Sequence, residues 1–304
     1  RFLPNLSLGA NYQKQDRAAG LNSDEQTTSR LILTQSLYEG GRDKADYNAA
    51  KSLMSAQKNY VTAAENNLFS DVARSFFSVL AAEQDIRNIQ KSIDLTQNRV
   101  GELNKRMKVG KTQNVEVLAA DAQLAVLKAQ LLGAQGNLNV ARDTFARVSG
   151  LDRTTPLTDP MRFPSEPKPI ESYLAEIENR PDIQALKLTT EASEYQIRAA
   201  KAGHLPTLLL SGNRYLSQSR VSGTNKHDWD VNVSLSFPIF SGGIVNARVR
   251  EIKENELQAE LQLKNQRRIA EEQIRQAYST LLSSLEQVKA LEAARAATDA
   301  NYKE

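Results

Sequence analysis

The protein chain has 304 residues, of which 40% are hydrophobic and only 6% aromatic, with 39 Lys and Arg against 36 Asp and Glu and a net charge of +3. This charge is spread along the chain, so no basic patch points to nucleic acid as a partner. The absence of cysteine excludes disulfides, thiolate zinc sites and cysteine nucleophiles. His204 and His227 lie in predicted strand or loop segments, so no metal or other cofactor site is predicted. No segment has the roughly 18–20 uninterrupted apolar residues of a membrane-spanning helix.

An internal repeat organises the sequence. Residues 3–8 reappear as residues 205–210, and residues 37–41 reappear as residues 239–243, both at an offset of 202. The same offset continues over about 90 residues without a gap. One Leu-Pro or Gly-Gly match could arise by chance, but a constant offset across all of them indicates a duplication.

Each repeat begins with two segments in which apolar and polar residues alternate, the pattern of a half-buried β-strand. The alternation is clearest in residues 31–38 and 229–237, and the polar stretches 13–28 and 215–228 are predicted to connect the strands of each pair. Strands of about nine or ten residues match the roughly 9–11 residues with which a tilted barrel strand crosses a bilayer. The residues predicted to face lipid are Leu6, Leu8, Leu31, Leu33, Val231, Val233 and Leu235. A single hairpin of this kind would fit the surface of a soluble core more readily.

The period then changes from two to seven residues. Glycine tolerates backbone dihedral angles that other residues resist, which allows a strand to turn directly into a helix. The strand-to-helix turns are predicted at Gly40, Gly41, Gly242 and Gly243. Beyond them, apolar residues recur at steps of three and four, most regularly over 113–149. A heptad pattern of this length is typical of a coiled coil, here an antiparallel hairpin that turns near Gly110.

The expected fold is therefore mainly α-helical with a small β part. Its segments are a first strand pair (1–41), a long helical hairpin (42–149), a Pro-rich linker (150–170), a returning helix (171–203), a second strand pair (204–243) and a second long helix (244–304). At a rise of about 1.5 Å per residue, the first helix would be about 100 Å long.

Several motifs recur in an order that is specific to one known family. They are the strand entries 3–4 and 205–206, the strand exits 36–41 and 237–243, the tip 106–112 with the following segment 115–120, and the element 179–182. With these motifs, the sequence resembles the TolC-like outer-membrane efflux proteins over essentially its whole length. The resemblance implies a homotrimer in the Gram-negative outer membrane, with a twelve-stranded barrel and a long periplasmic tunnel of helices. It also implies a passive exit duct for efflux or type I secretion. Its partners would be outer-membrane lipid, a periplasmic adaptor (membrane fusion) protein and, indirectly, an inner-membrane pump.

The resemblance assigns roles at the predicted tip. The residues expected to contact the adaptor are Arg106, Val109, Gly110, Lys111 and Thr112. Arg106 and Glu116, the latter at a position where the family commonly has Asp, could form ion pairs that hold the tunnel mouth closed. The alternatives are a plain turn at Gly110 and solvated helix charges at Arg106 and Glu116. Compared with the family, the helix before the first strand and the second tip are missing, so both ends are expected to be cut.

Two other classes of protein compete with the duct. An enzyme is not supported, because the sequence has no Gly-rich phosphate loop, no metal-ligand spacing and no nucleophile beside a base. A soluble or periplasmic coiled-coil scaffold without a transport role would explain the heptads. Such a scaffold has no need of two matched strand pairs of bilayer length.

Overall fold

The computed structural model describes residues 3–17, 21–159, 166–218 and 228–303. Contacts divide the chain into two compact units, one drawn from 1–60 with 168–304 and one from 61–167. In chain order the elements are β1 (Asn5–Arg17), β2 (Leu21–Glu39), α1 (Arg42–Lys108), α2 (Asn114–Ser149), α3 (Ile170–Leu174), α4 (Pro181–Lys201), β3 (Thr207–Gln218), β4 (Trp229–Ser236) and α5 (Ile244–Lys303). Short 3-10 turns at Ile177–Asn179 and Ala202–His204 lie on either side of α4.

The strands form one antiparallel sheet in the order β1-β2-β3-β4. Leu6 lies opposite Leu33 across β1 and β2. Thr34 lies opposite Ser211 across β2 and β3, the strand pair that joins the two sequence repeats. Because every neighbouring pair is antiparallel, β1 and β4 are the two edges of this sheet and run in opposite directions.

The strands differ in length from the alternating pattern that predicted them. β1 and β2 have 13 and 19 residues, whereas β3 and β4 have 12 and 8. The prediction that 13–28 connects the first two strands is wrong, because 13–17 and 21–28 belong to β1 and β2. Strand pairing uses backbone hydrogen bonds, which polar side chains do not prevent. Of the second predicted connection, 215–218 belongs to β3. Residues 18–20 and 219–227 lie outside the described residues.

The helices of the first unit pack through small side chains. The buried residues of this core include Ala45, Ala49 and Ala56 of α1, Ile183, Ala185 and Ala192 of α4, and Ile252, Ala259 and Ala270 of α5. Alanine at these positions lets helices approach closely. The predicted returning helix is divided into α3, a 3-10 turn and α4, which begins at Pro181. Proline is favoured at the first helical position because its missing N–H has no helical partner there.

The second unit consists mainly of residues 61–108 of α1 and all of α2. The Phe76 ring of α1 lies 6.3 Å from the Phe145 ring of α2, and Val79 and Val117 are buried. Glu83 of α1 pairs with Arg142 of α2 at 2.6 Å. The Phe76–Phe145 and Glu83–Arg142 contacts join the middle of α1 to the end of α2, which is the antiparallel hairpin that the heptads predict.

The helix α2 is more apolar than expected from the absence of a long uninterrupted apolar run in the sequence. Within the described part of the chain, α2 alone is long and apolar enough to cross a membrane by length and composition. Val126, Leu132 and Val140 are exposed, whereas Val117 and Phe145 are buried. A single helix of this composition is weak evidence for a membrane span, because coiled-coil helices rich in Ala and Leu have the same composition.

Candidate functional site

The turn between α1 and α2 is closed by a glycine C-cap. Gly110 has a φ of 71°, in the left-handed region that favours glycine. Its N–H donates to the Met107 carbonyl at 2.9 Å, and the Lys111 N–H donates to the Arg106 carbonyl at 2.9 Å. This pair of bonds is the Schellman motif, which satisfies the last carbonyls of a helix. The five predicted tip residues therefore lie together at the end of α1 and in the turn that follows it.

The tip exposes apolar side chains. Val109 is exposed by 66%, Val115 by 70% and Leu118 by 58%. A Cβ added at Gly110 would meet no atom within 4 Å. Three exposed apolar residues within ten positions of the chain favour a protein–protein contact at this turn.

Within the described residues, Arg106 and Glu116 form no ion pair. Both side chains are exposed in the described structure. Glu116 instead lines a groove of about 320 Å³ between α1 and α2, together with Arg99 and Leu103. Pairing of Arg106 or Glu116 with another chain stays a prediction.

The two strand-to-helix junctions have the same backbone geometry. Gly40 and Gly41 have φ values of 64° and 81°, and Gly242 and Gly243 have 60° and 80°. The first helical hydrogen bonds are also equivalent, from Ala45 N–H to the Gly41 carbonyl at 3.1 Å and from Ala247 N–H to the Gly243 carbonyl at 3.0 Å. Left-handed dihedral angles at two successive residues are accessible mainly to glycine. The repeat seen in the sequence is thus also a repeat of backbone conformation.

The sheet has one apolar and one polar face. Its register places all seven residues predicted to face lipid on the same face: Leu6, Leu8, Leu31, Leu33, Val231, Val233 and Leu235. The opposite face is mainly polar and carries Ser7, Asn11, Asn213, Asn232 and Ser234, with Ile32 and Leu209 as apolar exceptions. Alternation of this kind is typical of a strand wall with lipid on one side and water on the other.

A polar and aromatic pair marks one end of the apolar face. Arg214 lies opposite Trp229 across β3 and β4 and opposite Leu31 across β2 and β3. The Arg214 guanidinium lies 4.0 Å from the Asp228 carboxylate, and Trp229 is 63% exposed. Aromatic side chains beside charged ones are enriched where a membrane protein meets the headgroup region.

A polar clamp, made of Glu178, Arg180, Asp182, Gln266 and Arg267, joins the start of α4 to α5. The Asp182 carboxylate accepts hydrogen bonds from Arg180 Nη2 at 2.8 Å and from Gln266 Nε2 at 3.0 Å. The Glu178 carboxylate contacts Arg267 Nε at 2.8 Å. Two carboxylates thus hold side chains that are more than 80 residues away in sequence.

The clamp lowers the pKa of both carboxylates. Partial burial by itself raises the pKa of Asp182, but the hydrogen bonds from Arg180 and Gln266 outweigh burial and lower it. Hydrogen bonds from Lys187 and Arg267 lower the pKa of Glu178. Both groups are therefore held in the ionised form at neutral pH.

Sequence reasoning missed two groups of residues that the structure brings forward. It found the motif 179–182 but not Gln266 and Arg267, because nothing local in α5 indicates a partner so far away in sequence. It also passed over Arg30 and Asp230, which lie on the polar face of the sheet. Their place in the alternation was a usable signal, since both occupy the polar positions of their strands.

Comparison with known proteins gives a consistent family. The sequence matches the family described as outer membrane efflux protein over residues 1–151 and 173–303. It is 27% identical to the outer membrane protein TolC of Salmonella enteritidis over 305 residues, which cover 95% of this chain and 62% of TolC. It is 26% identical to the outer membrane efflux protein BepC of Brucella suis biovar 1, with the same two coverages of 95% and 62%. The chain therefore spans less than two thirds of the length of these relatives.

The fold is also similar to a solved channel structure. Superposition on CusC, described in terms of folding and transmembrane channel formation, gives a TM-score of 0.82 at 19% identity. The match covers 95% of this chain and 69% of CusC. At this identity the likeness shows a shared fold.

Proposed function

The chain belongs to the outer membrane efflux protein family, and on that premise we propose that it is the outer-membrane channel of a tripartite efflux or type I secretion system. In this role it is a passive exit duct with a periplasmic extension. It docks on a periplasmic adaptor protein and, through the adaptor, serves an inner-membrane pump. Catalysis has no part in the proposal, and the described residues hold no group of three or more side chains that could ligate a metal ion.

The observation that carries the proposal is the two-faced sheet with two edges. In lipid, each unsatisfied backbone N–H or C=O costs several kcal/mol, so a four-stranded sheet must close. Because β1 and β4 run in opposite directions, β4 of one copy can pair with β1 of the next in the antiparallel manner of every other pair. Closure therefore favours a ring of identical chains.

The number of copies follows from the size of the lumen. Two copies would give an eight-stranded barrel, whose interior is just wide enough to be filled by side chains. Three copies give twelve strands and leave room for a passage, and three is also the number implied by the family resemblance. We therefore propose a homotrimer with the apolar sheet face against lipid and the polar face against the lumen.

The tip is proposed as the adaptor contact. Its exposed apolar residues have no cover within the described chain, and Gly110 lets another backbone approach without a side chain in the way. Arg106 and Lys111 supply positive charge beside this apolar surface. A second helical hairpin with an apolar tip and acidic flanks is the kind of surface that this arrangement fits.

The coiled-coil scaffold is disfavoured by the same sheet. In an aqueous scaffold, Leu8, Val231 and Leu235 would stand in water with exposed fractions of 68%, 60% and 70%. An exposed apolar face of that extent is typical of a membrane or protein interface rather than of a soluble monomer.

The docking role is tested by a pair of glycine substitutions. Gly110→Trp is expected to abolish efflux in cells that lack their own channel, while the protein still assembles in the outer membrane. Gly150→Trp is the matched control, because Gly150 caps α2 with a φ of 72° and also has no atom within 4 Å of an added Cβ. Each substitution carries a similar backbone strain of about 1–2 kcal/mol.

Docking predicts that only the Gly110 variant loses efflux at equal protein level. Equal loss of efflux in both variants, or loss of assembly in the Gly110 variant alone, would mean that the glycine serves only the turn. Full efflux from a well-assembled Gly110→Trp protein would contradict docking at this site.

A further inference from the structure

The polar face of the sheet carries two charged side chains. Over 5–13, 28–36, 207–215 and 230–236, where the structure describes the side chains, this face is otherwise uncharged. The two exceptions are Arg30 on β2 and Asp230 on β4. Both side chains belong to the face that the proposed barrel turns toward its lumen.

The residues around Arg30 leave its side chain exposed to solvent. It lies opposite Gly9 on β1 and Tyr215 on β3. Gly9 has no side chain, and the Ile32 side chain reaches within 3.2 Å of where its Cβ would be. A notch of about 340 Å³ lies here, lined also by Asn11, Thr28 and Ile32. Within the described residues Arg30 has no ion pair, and its side chain is exposed. Its positive charge therefore faces the space in front of the polar face.

Asp230 stands at a different level of the same face. It lies opposite Asn213, whose side-chain amide donates to the Asp230 carboxylate at 2.8 Å. Across β2 and β3, Asn213 lies opposite Ile32, which is one row away from Arg30. Two strand spacings of about 4.8 Å and two residues of about 3.3 Å each separate the backbones of Arg30 and Asp230 by about 12 Å. Arg30 and Asp230 thus occupy separate levels and are too far apart to pair with each other within one chain.

Resting on the proposed trimeric barrel, we propose that Arg30 and Asp230 form two rings of opposite charge in the lumen and set its ion selectivity. Three-fold symmetry repeats each residue three times, so one level carries three guanidinium groups and the other three carboxylates. Rings of charged side chains are a general means by which pores select ions. Each ring repels ions of its own sign and attracts those of the opposite sign.

The expected effect follows from the size of the barrel. Twelve strands at a spacing of about 4.8 Å and a tilt of about 40° give a backbone radius of about 12 Å. An arginine that points inward brings its charge to about 7 Å from the axis. Three such charges change the cation-to-anion permeability ratio by about 20-fold at 0.1 M salt and by less than about twofold at 1 M, where screening is stronger.

The test is ion selectivity in planar bilayers, with the full-length protein in a KCl gradient. Arg30→Gln is expected to shift the permeability ratio toward cations, and Asp230→Asn toward anions, both more strongly at low salt. Arg214→Gln is the matched control, because Arg214 lies opposite Leu31, the neighbour of Arg30, on the other face of the sheet. It removes the same charge at nearly the same level but outside the lumen, so it leaves the ratio unchanged.

The outcomes separate this inference from the barrel itself. A conducting Arg30→Gln channel with an unchanged permeability ratio overturns the charged rings and leaves the duct intact. Equal shifts from Arg30→Gln and Arg214→Gln overturn the assignment of the two faces. Absence of any conductance from the wild-type protein contradicts the proposed barrel, and the rings with it.

Discussion

Gly40 and Gly242 are equivalent positions of the repeat with nearly the same backbone and different surroundings. Their φ values are 64° and 60°. A Cβ at Gly40 would lie 2.7 Å from Leu205 Cβ and 3.0 Å from the Ala202 carbonyl oxygen, whereas a Cβ at Gly242 would meet nothing within 4 Å. The first junction is therefore packed against the chain that enters β3, and the second is open in the described structure.

Alanine at these two positions separates backbone strain from close packing. Gly242→Ala is expected to lower the free energy of unfolding by about 1–2 kcal/mol, since only the left-handed backbone is strained. Gly40→Ala is expected to cost about 1–3 kcal/mol more, because the added methyl overlaps Leu205 and the Ala202 carbonyl. Denaturant unfolding of the two variants in detergent measures the difference. Equal losses of unfolding free energy in the two variants would show that Leu205 moves aside from the added methyl without a loss of stability.

At the scale of elements, the polar clamp between α4 and α5 gives a pH-dependent prediction. The side chains of Asp182 and Arg180 are 23% and 31% exposed, and the pKa of Asp182 is lowered from 3.8. A carboxyl with a lowered folded-state pKa stabilises the fold fully above its unfolded-state pKa, and this stabilisation is lost as the pH falls through the folded-state pKa. Asp182→Asn is therefore expected to lower the free energy of unfolding by about 2 kcal/mol at pH 7.

Below about pH 3.8 the difference between the wild type and Asp182→Asn is expected to shrink, because the wild-type carboxyl also becomes neutral. Glu286→Gln is the control, since its pair with Lys289 lies on α5 with 73% and 64% of the two side chains exposed. That substitution is expected to change stability by less than about 1 kcal/mol. A constant difference for Asp182→Asn between pH 7 and pH 3 would show that the charge of Asp182 does not act through the clamp.

Helix ends were predictable because their signals are local. α1 ends at Lys108, two residues before the Gly110 cap, and α5 begins at Ile244, directly after its glycine pair. Strand ends were not predictable in the same way. Residues 21–28, which are polar except for Leu21, extend β2 because a neighbouring backbone is available for pairing. A side-chain pattern does not record where that neighbour lies.

The candidate site also contains features that local sequence patterns predict and features that depend on long-range contacts. The tip and the apolar sheet face could be picked out from residue type and period, because both use short-range patterns. Arg30 matters only through Gly9 and Tyr215, which are brought beside it by the register of two strand pairs. The partners of Asp182 depend on how α4 packs on α5. Residues whose role depends on long-range contacts cannot be identified from a local sequence pattern.

At the scale of the whole molecule, the proposed barrel depends on β4 of one chain pairing with β1 of another. The strand order leaves these two edges without a neighbour in the described sheet. In a closed ring each chain uses both edges, so the number of chains is fixed by closure. An open arrangement would continue to add chains, because a free β4 edge always remains.

Disulfide cross-linking across the two edges in native outer membranes tests this claim most directly. The chain contains no cysteine, so Asn232→Cys on β4 can be combined one at a time with cysteine at Asn5, Ser7, Asn11 or Gln13 on β1. In a closed trimer, at least one pair, after oxidation, is expected to give a ladder of covalent products that ends at the trimer. A ladder that ends at the dimer, one that continues beyond the trimer, or no cross-link at any of the four positions would contradict it.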